Sequence, residues 1–359
     1  MSVPECLIRT EGRAGRITLN RPDALNALTY GMIMQITATL DTWRNNPAVA
    51  IVILDGTGHR AMCAGGDVLS LYAGRQDPAR PWRQFWRDEY RLNAAIHRYP
   101  KPFLAIMDGI VMGGGIGLSA HAAYRVVTER STLAMPETSI GLIPDVGGTY
   151  LLSRTMRFKH LSDHTGTYLA LTGKRFNGAD ALVTGFADIC IHSKDIPALL
   201  AEVIDGPEQL PGTLVRYNSA IGDVPGEQLY AAKAEIDRAF GFDTIEAILA
   251  VLDAGSTPWT RDTAALLRTK SPKALKLTLA ALRQAQKFNT LEAALNVEYR
   301  LVNRLYEDGE FIEGVRALLI DKDKTPKWLP ARLEDMTPAM IAAFLAPLAG
   351  GSDLNLAAP

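Results

Sequence analysis

Two carboxylates stand close together in a segment that otherwise consists of apolar and turn residues. Residues 135–148 read M-P-E-T-S-I-G-L-I-P-D-V-G-G, which contains Glu137 and Asp145. Because the neighbours of Glu137 are apolar, a charge there without a function would be energetically costly, since a buried carboxylate needs a partner. Burial also raises the pKa of a carboxyl group, which suits a residue that moves protons. For Asp145, the capping of a helix is an alternative of about equal weight.

Glycine-rich segments lie upstream of these acids. Residues 113–119 read G-G-G-I-G-L-S, and residues 63–67 read C-A-G-G-D. Glycine lets a ligand approach the backbone closely, and the start of a helix favours negative charge. Close helix packing is the alternative explanation for any single glycine. Two such turns and two carboxylates together predict a site for acyl transfer.

A third acid, Glu89, lies in an aromatic and basic segment. Residues 80–96 read R-P-W-R-Q-F-W-R-D-E-Y-R-L-N-A-A-I. On a helix, Glu89 shares the apolar face of Phe85 and Trp86 by its i+3 and i+4 spacing. An acid on that face indicates a contact with substrate, and an ion pair with an arginine at the helix edge is the alternative.

The composition limits the classes of partner. The 359 residues carry a net charge of −1, with 47% hydrophobic and 21% charged residues. These values favour a folded core and offer no electrostatic footprint for nucleic acid or an anionic membrane. No apolar run is long enough for a membrane span, and residues 1–12 lack signal and transit patterns. Three cysteines without metal-ligand spacing fit a reducing compartment, so we expect a cytoplasmic protein.

Other motifs are weaker. Residues 115–120 match the G-x-G-x-x-A of dinucleotide folds, but the first glycine comes several residues after the predicted strand. His160 and His164 have the spacing of a zinc helix, yet no third ligand is evident, and a surface pair is favoured. No P-loop and no G-x-S-x-G elbow occurs, so the nucleophile should be a carboxylate or water.

Strands alternate with helices in the first half of the chain, which predicts an α/β fold with a mostly parallel sheet. The strongest strand signals are residues 16–19, 49–55, 103–107 and 124–128, and a helix is predicted up to about Trp43. Later segments, such as residues 275–288 and 290–306, have helical periodicity. These changes predict a catalytic core over 1–199, a helical region over 200–350 and a frayed tail over 351–359.

The motifs together resemble the crotonase (enoyl-CoA hydratase/isomerase) superfamily. The resemblance rests on L-N-R-P-D-A-L-N-A-L, M-C-A-G-G-D, D-G-I-V-M-G-G-G-I-G-L-S and the segment at 135–148. It extends over nearly the whole chain. The C-terminal segments K-S-P-K-A-L-K-L-T-L, V-E-Y-R-L and F-I-E-G-V-R-A-L-L-I-D-K-D-K-T-P-K-W are similar to the hydrolase branch of that superfamily. The resemblance implies a crotonase-like spiral of ββα units with an extended helical C-terminal region.

The resemblance also implies roles for individual residues. Gly66 and Gly114 would supply the two N–H groups of an oxyanion hole. Glu137 would be the catalytic carboxylate, and Asp145 stands where hydratases carry glycine. Glu89 would contact the substrate. The backbone that cradles CoA would include Ala24, Leu25, Ala64 and Asp67.

One departure bears on the reaction. Hydratases of the superfamily have a second glutamate where this chain has Gly117, so hydration of a double bond is disfavoured. We expect hydrolysis of a short-chain 3-hydroxyacyl-CoA thioester, with an enoyl-CoA hydratase or isomerase, or a silent acyl-CoA-binding protein, as alternatives. The expected partner is the acyl-CoA, with no metal and no cofactor besides the CoA of the substrate. Relatives often form trimers or hexamers, so a homo-oligomer is compatible with the sequence.

Overall fold

A computed structural model describes residues 3–77, 82–155, 161–218 and 228–358. In this part of the chain the strands are β1 (Cys6–Glu11), β2 (Ala14–Leu19), β3 (Ile51–Gly56), β4 (Ala61–Cys63), β5 (Phe103–Met107), β6 (Ile110–Met112), β7 (Tyr124–Thr128), β8 (Thr132–Ala134), β9 (Phe176–Asn177) and β10 (Ile189–Ile191). The helices are α1 (Tyr30–Arg44), α2 (Val68–Ala73), α3 (Trp82–His97), α4 (Gly114–Ser119), α5 (Gly148–Leu152), α6 (Thr165–Thr172), α7 (Gly178–Thr184), α8 (Ile196–Asp205), α9 (Leu210–Tyr217), α10 (Gln228–Ala231), α11 (Lys233–Ala239), α12 (Ile245–Ala254), α13 (Pro258–Arg268), α14 (Pro272–Ala285), α15 (Leu291–Glu307), α16 (Glu310–Val315) and α17 (Pro338–Leu345).

The chain divides into two compact units. Unit 1 comprises Met1–Asp67, Arg91–Leu133 and Phe176–Gln228, and unit 2 comprises Val68–Tyr90, Ala134–Arg175 and Leu229–Pro359. Residue 199, where the sequence places the end of the catalytic core, lies inside α8 of unit 1. The predicted boundary follows composition, because the described residues after Ile191 contain helices and no strand. As a division into domains it stays a prediction.

A six-stranded sheet forms the centre of unit 1, in the order β1-β2-β3-β5-β7-β10. Strand β1 pairs antiparallel with β2, and each later neighbour is parallel. Buried side chains of β3 and β5 pack with α8 and α9, as the apolar character of these strands requires. The strands predicted at 16–19, 49–55, 103–107 and 124–128 are therefore confirmed, with ends that differ by a few residues.

A second sheet has the order β4-β6-β8-β9, and its strands are two or three residues long. Runs this short carry no readable periodicity, so these strands could not be predicted from the sequence. They nevertheless matter for the site. β4 leads into the glycines at 65 and 66, and β6 leads into the glycine triplet at 113–115.

Unit 2 contains the long helices that the sequence predicts. Helix α14 begins after Ser271, whose side chain accepts the N–H of Ala274, and α15 begins after Thr290, whose side chain accepts the N–H of Ala293. These caps pair backbone donors that a helix start leaves without partners. The helical C-terminal region is thus confirmed, with starts close to the predicted ones.

The end of the chain differs from the frayed tail that the sequence predicts. Asp353 is buried and forms an ion pair of 2.8 Å with Arg300 of α15. The amide of Asn296 pairs with both backbone groups of Leu356, at 3.0 and 2.9 Å. Side chains from α15 therefore hold this segment in place. The small, polar composition of the segment could not reveal such long-range contacts.

Candidate active site

The glycine turns, residues 63–67 and 113–115, meet within unit 1. Gly65 has φ +117°, and a Cβ built on it would lie 3.4 Å from the carbonyl oxygen of Met112 and 3.8 Å from the nitrogen of Gly114. A Cβ on Gly115 would come 2.3 Å from the carbonyl oxygen of Cys63. A side chain on Gly115 would prevent this close approach, whereas at Gly65 it is the positive φ that favours glycine. Glycine is therefore required for the contact between the turns.

The N–H groups of Gly66 and Gly114 remain available at this contact. Gly114 is the first residue of α4, and the first N–H groups of a helix have no acceptor inside the helix. In the described residues neither N–H donates a hydrogen bond to another backbone carbonyl. Two unpaired donors on neighbouring turns can hold an oxygen that becomes negative.

The residues predicted to cradle CoA come together beside the first glycine turn. The N–H of Ala64 donates to the carbonyl of Leu25 at 3.0 Å, and the N–H of Asp67 donates to the carbonyl of Leu28 at 2.9 Å. Leu25 follows Ala24 and has a left-handed backbone, with φ 52°. Unit 1 thus brings Ala24, Leu25, Ala64 and Asp67 together in neighbouring backbone turns.

Glu137 occupies a 3-10 turn of unit 2. The turn, Glu137–Ile140, follows Pro136 and ends at Gly141, which has φ +72°. The side chain is 5% exposed, and among the described residues its Oε2 atom has no hydrogen-bond partner. Burial and then the charge of Asp145 raise the pKa of Glu137 well above the usual carboxyl range. A buried acid with an unused oxygen is suited to act on a ligand.

Asp145 is buried and accepts a hydrogen bond from a tyrosine. The hydroxyl of Tyr90 donates to Oδ2 of Asp145 at 2.7 Å. Burial raises the pKa of Asp145 to about 6, and the hydrogen bond from Tyr90 opposes that rise. Helix α5 begins after Gly147 with no side-chain cap, so the helix-capping alternative for Asp145 is wrong.

Glu89 is also buried, on α3 in the same unit. It is 2% exposed, and its Oε1 atom has no partner in the described residues. Burial and then the charge of Asp145 raise the pKa of Glu89. Arg83 pairs with Glu307, Arg87 donates to the carbonyl of Ser352, and among the described residues no nearby cation lowers the pKa of Glu89. The alternative of an ion pair at the helix edge is therefore wrong.

The predicted helix is present from Trp82, and residues 80 and 81 lie outside the described residues.

Glu298 is a fourth buried acid that sequence reasoning missed. Its carboxylate accepts the N–H of Gly147 at 2.7 Å, the N–H of Thr149 at 2.9 Å and the hydroxyl of Thr149. Burial raises the pKa of Glu298 to about 7, and the bonds from Thr149 and Gly147 oppose this. A signal was present, since Leu295 and Leu301 lie three residues to either side and place Glu298 on the apolar face of α15. Tyr90 was missed too, because its partner Asp145 is distant in sequence.

These four acids form the carboxylate cluster: Glu89, Glu137, Asp145 and Glu298. None of them forms an ion pair within the described part of the chain. The charge of Asp145 raises the pKa of each of the other three. Buried like charges cannot all be ionised together, so the cluster holds protons near neutral pH. Such a cluster can accept and release protons during a reaction.

The predicted site residues thus come together as two groups, one in each unit. Gly66, Gly114 and the CoA cradle lie in unit 1, whereas Glu89, Glu137 and Asp145 lie in unit 2.

A family model described as Enoyl-CoA hydratase/isomerase matches residues 14–345. The chain belongs to the enoyl-CoA hydratase/isomerase family. Its crotonase fold is therefore shown, as the sequence motifs predicted.

Relatives in this family carry different names. The mitochondrial 3-hydroxyisobutyryl-CoA hydrolase of Rattus norvegicus is 40% identical over 98% of this chain and 91% of its own. A solved carnitinyl-CoA dehydratase from Mycobacterium thermoresistibile is 42% identical, with a TM-score of 0.89 over 98% of this chain and 99% of its own. A solved enoyl-CoA hydratase from Rhodobacter sphaeroides 2.4.1 is 41% identical, with a TM-score of 0.90 over 98% of this chain and 100% of its own. Identity alone does not choose among these reactions.

Three remaining predictions concern Gly117, membrane spans and the pair His160 and His164. Gly117, where the resemblance places the second glutamate of hydratases, is a buried residue of α4 with no side chain to act as acid or base. Across the residues that the structure describes, no helix is both long and apolar enough to cross a bilayer. His160 lies outside those residues, so the zinc-helix spacing of His160 and His164 stays untested.

Proposed function

We propose that this chain hydrolyses a short-chain 3-hydroxyacyl-CoA thioester, with 3-hydroxyisobutyryl-CoA, an intermediate of valine degradation, as the first candidate. The products would be 3-hydroxyisobutyrate and CoA. The observation that carries the proposal is the buried pair Glu137 and Asp145, neither of which has a cationic partner in the described residues. The names of the curated relatives support the same substrate.

In the proposed reaction the carbonyl oxygen of the thioester accepts hydrogen bonds from the N–H groups of Gly66 and Gly114. These donors stabilise the negative charge that develops on the oxygen, and one such donor is typically worth about 3–4 kcal/mol. The backbone of Ala24, Leu25, Ala64 and Asp67 binds the CoA part. No cofactor takes part, which predicts that dialysis against a chelator leaves the rate of hydrolysis unchanged.

Glu137 acts by one of two routes, as a nucleophile on the thioester carbon or as a general base. As a nucleophile, it forms a C–O bond while the C–S bond breaks, and CoA leaves as a thiolate that takes up a proton. Water then opens the resulting anhydride to the free acid. As a general base, Glu137 instead removes a proton from water that attacks the same carbon, and the C–S bond breaks as CoA leaves as a thiolate that takes up a proton. Quenching with borohydride during turnover separates the routes, because an anhydride at Glu137 is reduced to an alcohol that peptide mass spectrometry detects.

Asp145 has two candidate roles, donation of a proton to the leaving thiolate or orientation of the water. The hydrogen bond from Tyr90 and a pKa of about 6 favour the ionised carboxylate near pH 7. An ionised carboxylate accepts hydrogen bonds, so we favour orientation of the water that completes the reaction.

Glu89 would bind the 3-hydroxyl group of the substrate. Its Oε1 atom is buried and has no partner in the described part of the chain. A site with an unpaired polar atom binds a hydroxyl-bearing substrate better than an analogue that lacks the hydroxyl. This contact would account for a preference for hydroxyacyl groups over plain acyl groups.

Release of free thiol from a panel of CoA esters tests the proposal. We expect 3-hydroxyisobutyryl-CoA and 3-hydroxypropionyl-CoA to be hydrolysed and crotonyl-CoA to keep its ultraviolet absorbance. Loss of that absorbance without thiol release would instead support a hydratase. Calorimetric binding without any turnover would support a silent acyl-CoA-binding protein.

Location and assembly are further parts of the proposal. The sequence predicts a cytoplasmic protein, whereas the curated hydrolases are named mitochondrial. Fractionation of the source cells, with detection of the full-length chain, decides between these compartments. A homo-oligomer is proposed by analogy with the family, and light scattering of the purified protein measures the mass.

A further inference from the structure

Glu298 makes its hydrogen bonds to the backbone that follows Asp145. The side chain is 0% exposed, and its two oxygens accept the N–H groups of Gly147 and Thr149 at 2.7 and 2.9 Å, together with the hydroxyl of Thr149. Hydrogen bonds to an ionised acceptor are stronger than those between neutral groups. One carboxylate thus holds both ends of a three-residue stretch.

The residue just before that stretch has an unfavourable backbone conformation. Val146 has φ 51° and Gly147 has φ 82°, so two successive residues are left-handed. A β-branched residue in this region is a conformational outlier, and holding it there costs free energy. Such strain persists only where the surroundings hold the chain in place. The contacts of Glu298 are placed to do this, because they bind the residues immediately after the strained valine.

We propose that Glu298 is a positioning residue, which holds the turn 145–149 so that the Asp145 carboxylate stays on the Tyr90 hydroxyl. This inference rests on the proposed hydrolase function. In the proposed mechanism Glu298 does not contact the substrate, and it acts only through the backbone of residues 146–149. The helix that carries it, α15, thereby contributes to catalysis from a part of the chain far from the catalytic motif.

The same carboxylate also acts on the cluster through its charge. Glu298 raises the pKa of Glu137 and of Tyr90. A neutral side chain at 298 would remove this effect on Glu137 only above about pH 7, where Glu298 is itself ionised. Below that pH the expected change comes from Asp145, whose pKa rises when the Tyr90 hydroxyl no longer donates to it, so the acid limb of the activity profile moves to higher pH. A residue that only supports packing would leave this limb in place.

The experiment compares Glu298→Gln with the wild-type enzyme and with Thr290→Ala. The amide of glutamine places an NH2 group against N–H donors, so we expect kcat to fall about tenfold to a hundredfold, as for loss of a residue that orients a catalytic group. KM should change less than about threefold, because the CoA cradle is untouched. Thr290→Ala removes the cap of α15 and so lowers stability without touching the turn.

Two further readouts make the result specific. The amides of residues 147 and 149 should exchange hydrogen faster in Glu298→Gln than in Thr290→Ala at equal stability. Thr149→Val should lower kcat while Thr149→Ser, which keeps the hydroxyl, restores it. Wild-type kcat in Glu298→Gln, or an equal loss in Thr290→Ala, would overturn the proposal. If the wild-type chain releases no thiol from any CoA ester, the proposed function fails, whereas hydrogen exchange still shows whether Glu298 holds the turn.

Discussion

The glycine turns and the carboxylate cluster are built in opposite ways. The turns offer backbone N–H groups, and their contact depends on positions where no side chain fits, such as Gly115 against the carbonyl of Cys63. The cluster depends on buried side chains from helices and turns that are far apart in sequence, such as Tyr90 and Asp145. A backbone site is thus sensitive to added volume, and a cluster of acids is sensitive to the loss of single atoms.

The largest effect should follow from Glu137→Gln in the cluster. The substitution keeps the shape of the side chain and removes both the nucleophile and the base, so we expect kcat to fall at least about a thousandfold. The affinity for the CoA ester, measured by calorimetry, should stay within a few-fold of wild type. Glu292→Gln serves as the control, because Glu292 is a buried glutamate of α15 outside the carboxylate cluster. Retained turnover would remove Glu137 from the mechanism.

The glycine turns should respond to a single methyl group. In Gly115→Ala the new Cβ would lie 2.3 Å from a backbone oxygen, so the two turns must separate. Loss of one oxyanion donor typically lowers kcat about a hundredfold to a thousandfold. Gly31→Ala is the matched control, because its Cβ would meet side-chain atoms only at 3.6 and 3.7 Å. Steady-state kinetics and thermal melting of both variants separate loss of the site from loss of the fold. Wild-type kcat in Gly115→Ala would mean that contact between the turns is not needed.

This contrast also explains which parts the sequence revealed. Glycine runs and the M-P-E motif are local signals, so the sequence predicted the glycine turns and Glu137, and the family resemblance singled out Gly66 and Gly114 within those turns. Strands as short as β4 and β6 position the turns and left no periodic pattern. The partners of the acids were hidden for another reason. Tyr90 and Glu298 lie about 55 and 150 residues from the groups that they bind, and only tertiary packing decides such pairs.

Within the cluster, Glu89 should govern selectivity more than rate. A hydrogen bond to a buried charged group is worth about 1.5–3 kcal/mol, or about tenfold to a hundredfold. Wild-type enzyme should therefore prefer 3-hydroxypropionyl-CoA over propionyl-CoA by such a factor in kcat/KM. Glu89→Ala should bring the ratio close to one, with Glu89→Gln between the two. An unchanged ratio in Glu89→Ala would show that another residue binds the hydroxyl group.

The smallest effect should come from Tyr90→Phe, which removes one oxygen atom. The hydroxyl of Tyr90 stabilises the ionised form of Asp145 and so lowers its pKa, which is about 6 with the bond in place. Without the bond the pKa must rise, less Asp145 is ionised between pH 6 and 7, and the acid limb of the kcat/KM profile moves to higher pH. We expect a loss of about tenfold at pH 6 that narrows at pH 8, because one lost hydrogen bond to a charged group is worth about that factor. We expect a shift in the same direction for Glu298→Gln, because a loosened turn also weakens the bond from Tyr90 to the carboxylate of Asp145. Acid limbs that move in opposite directions in the two variants would contradict a role of Glu298 through Asp145.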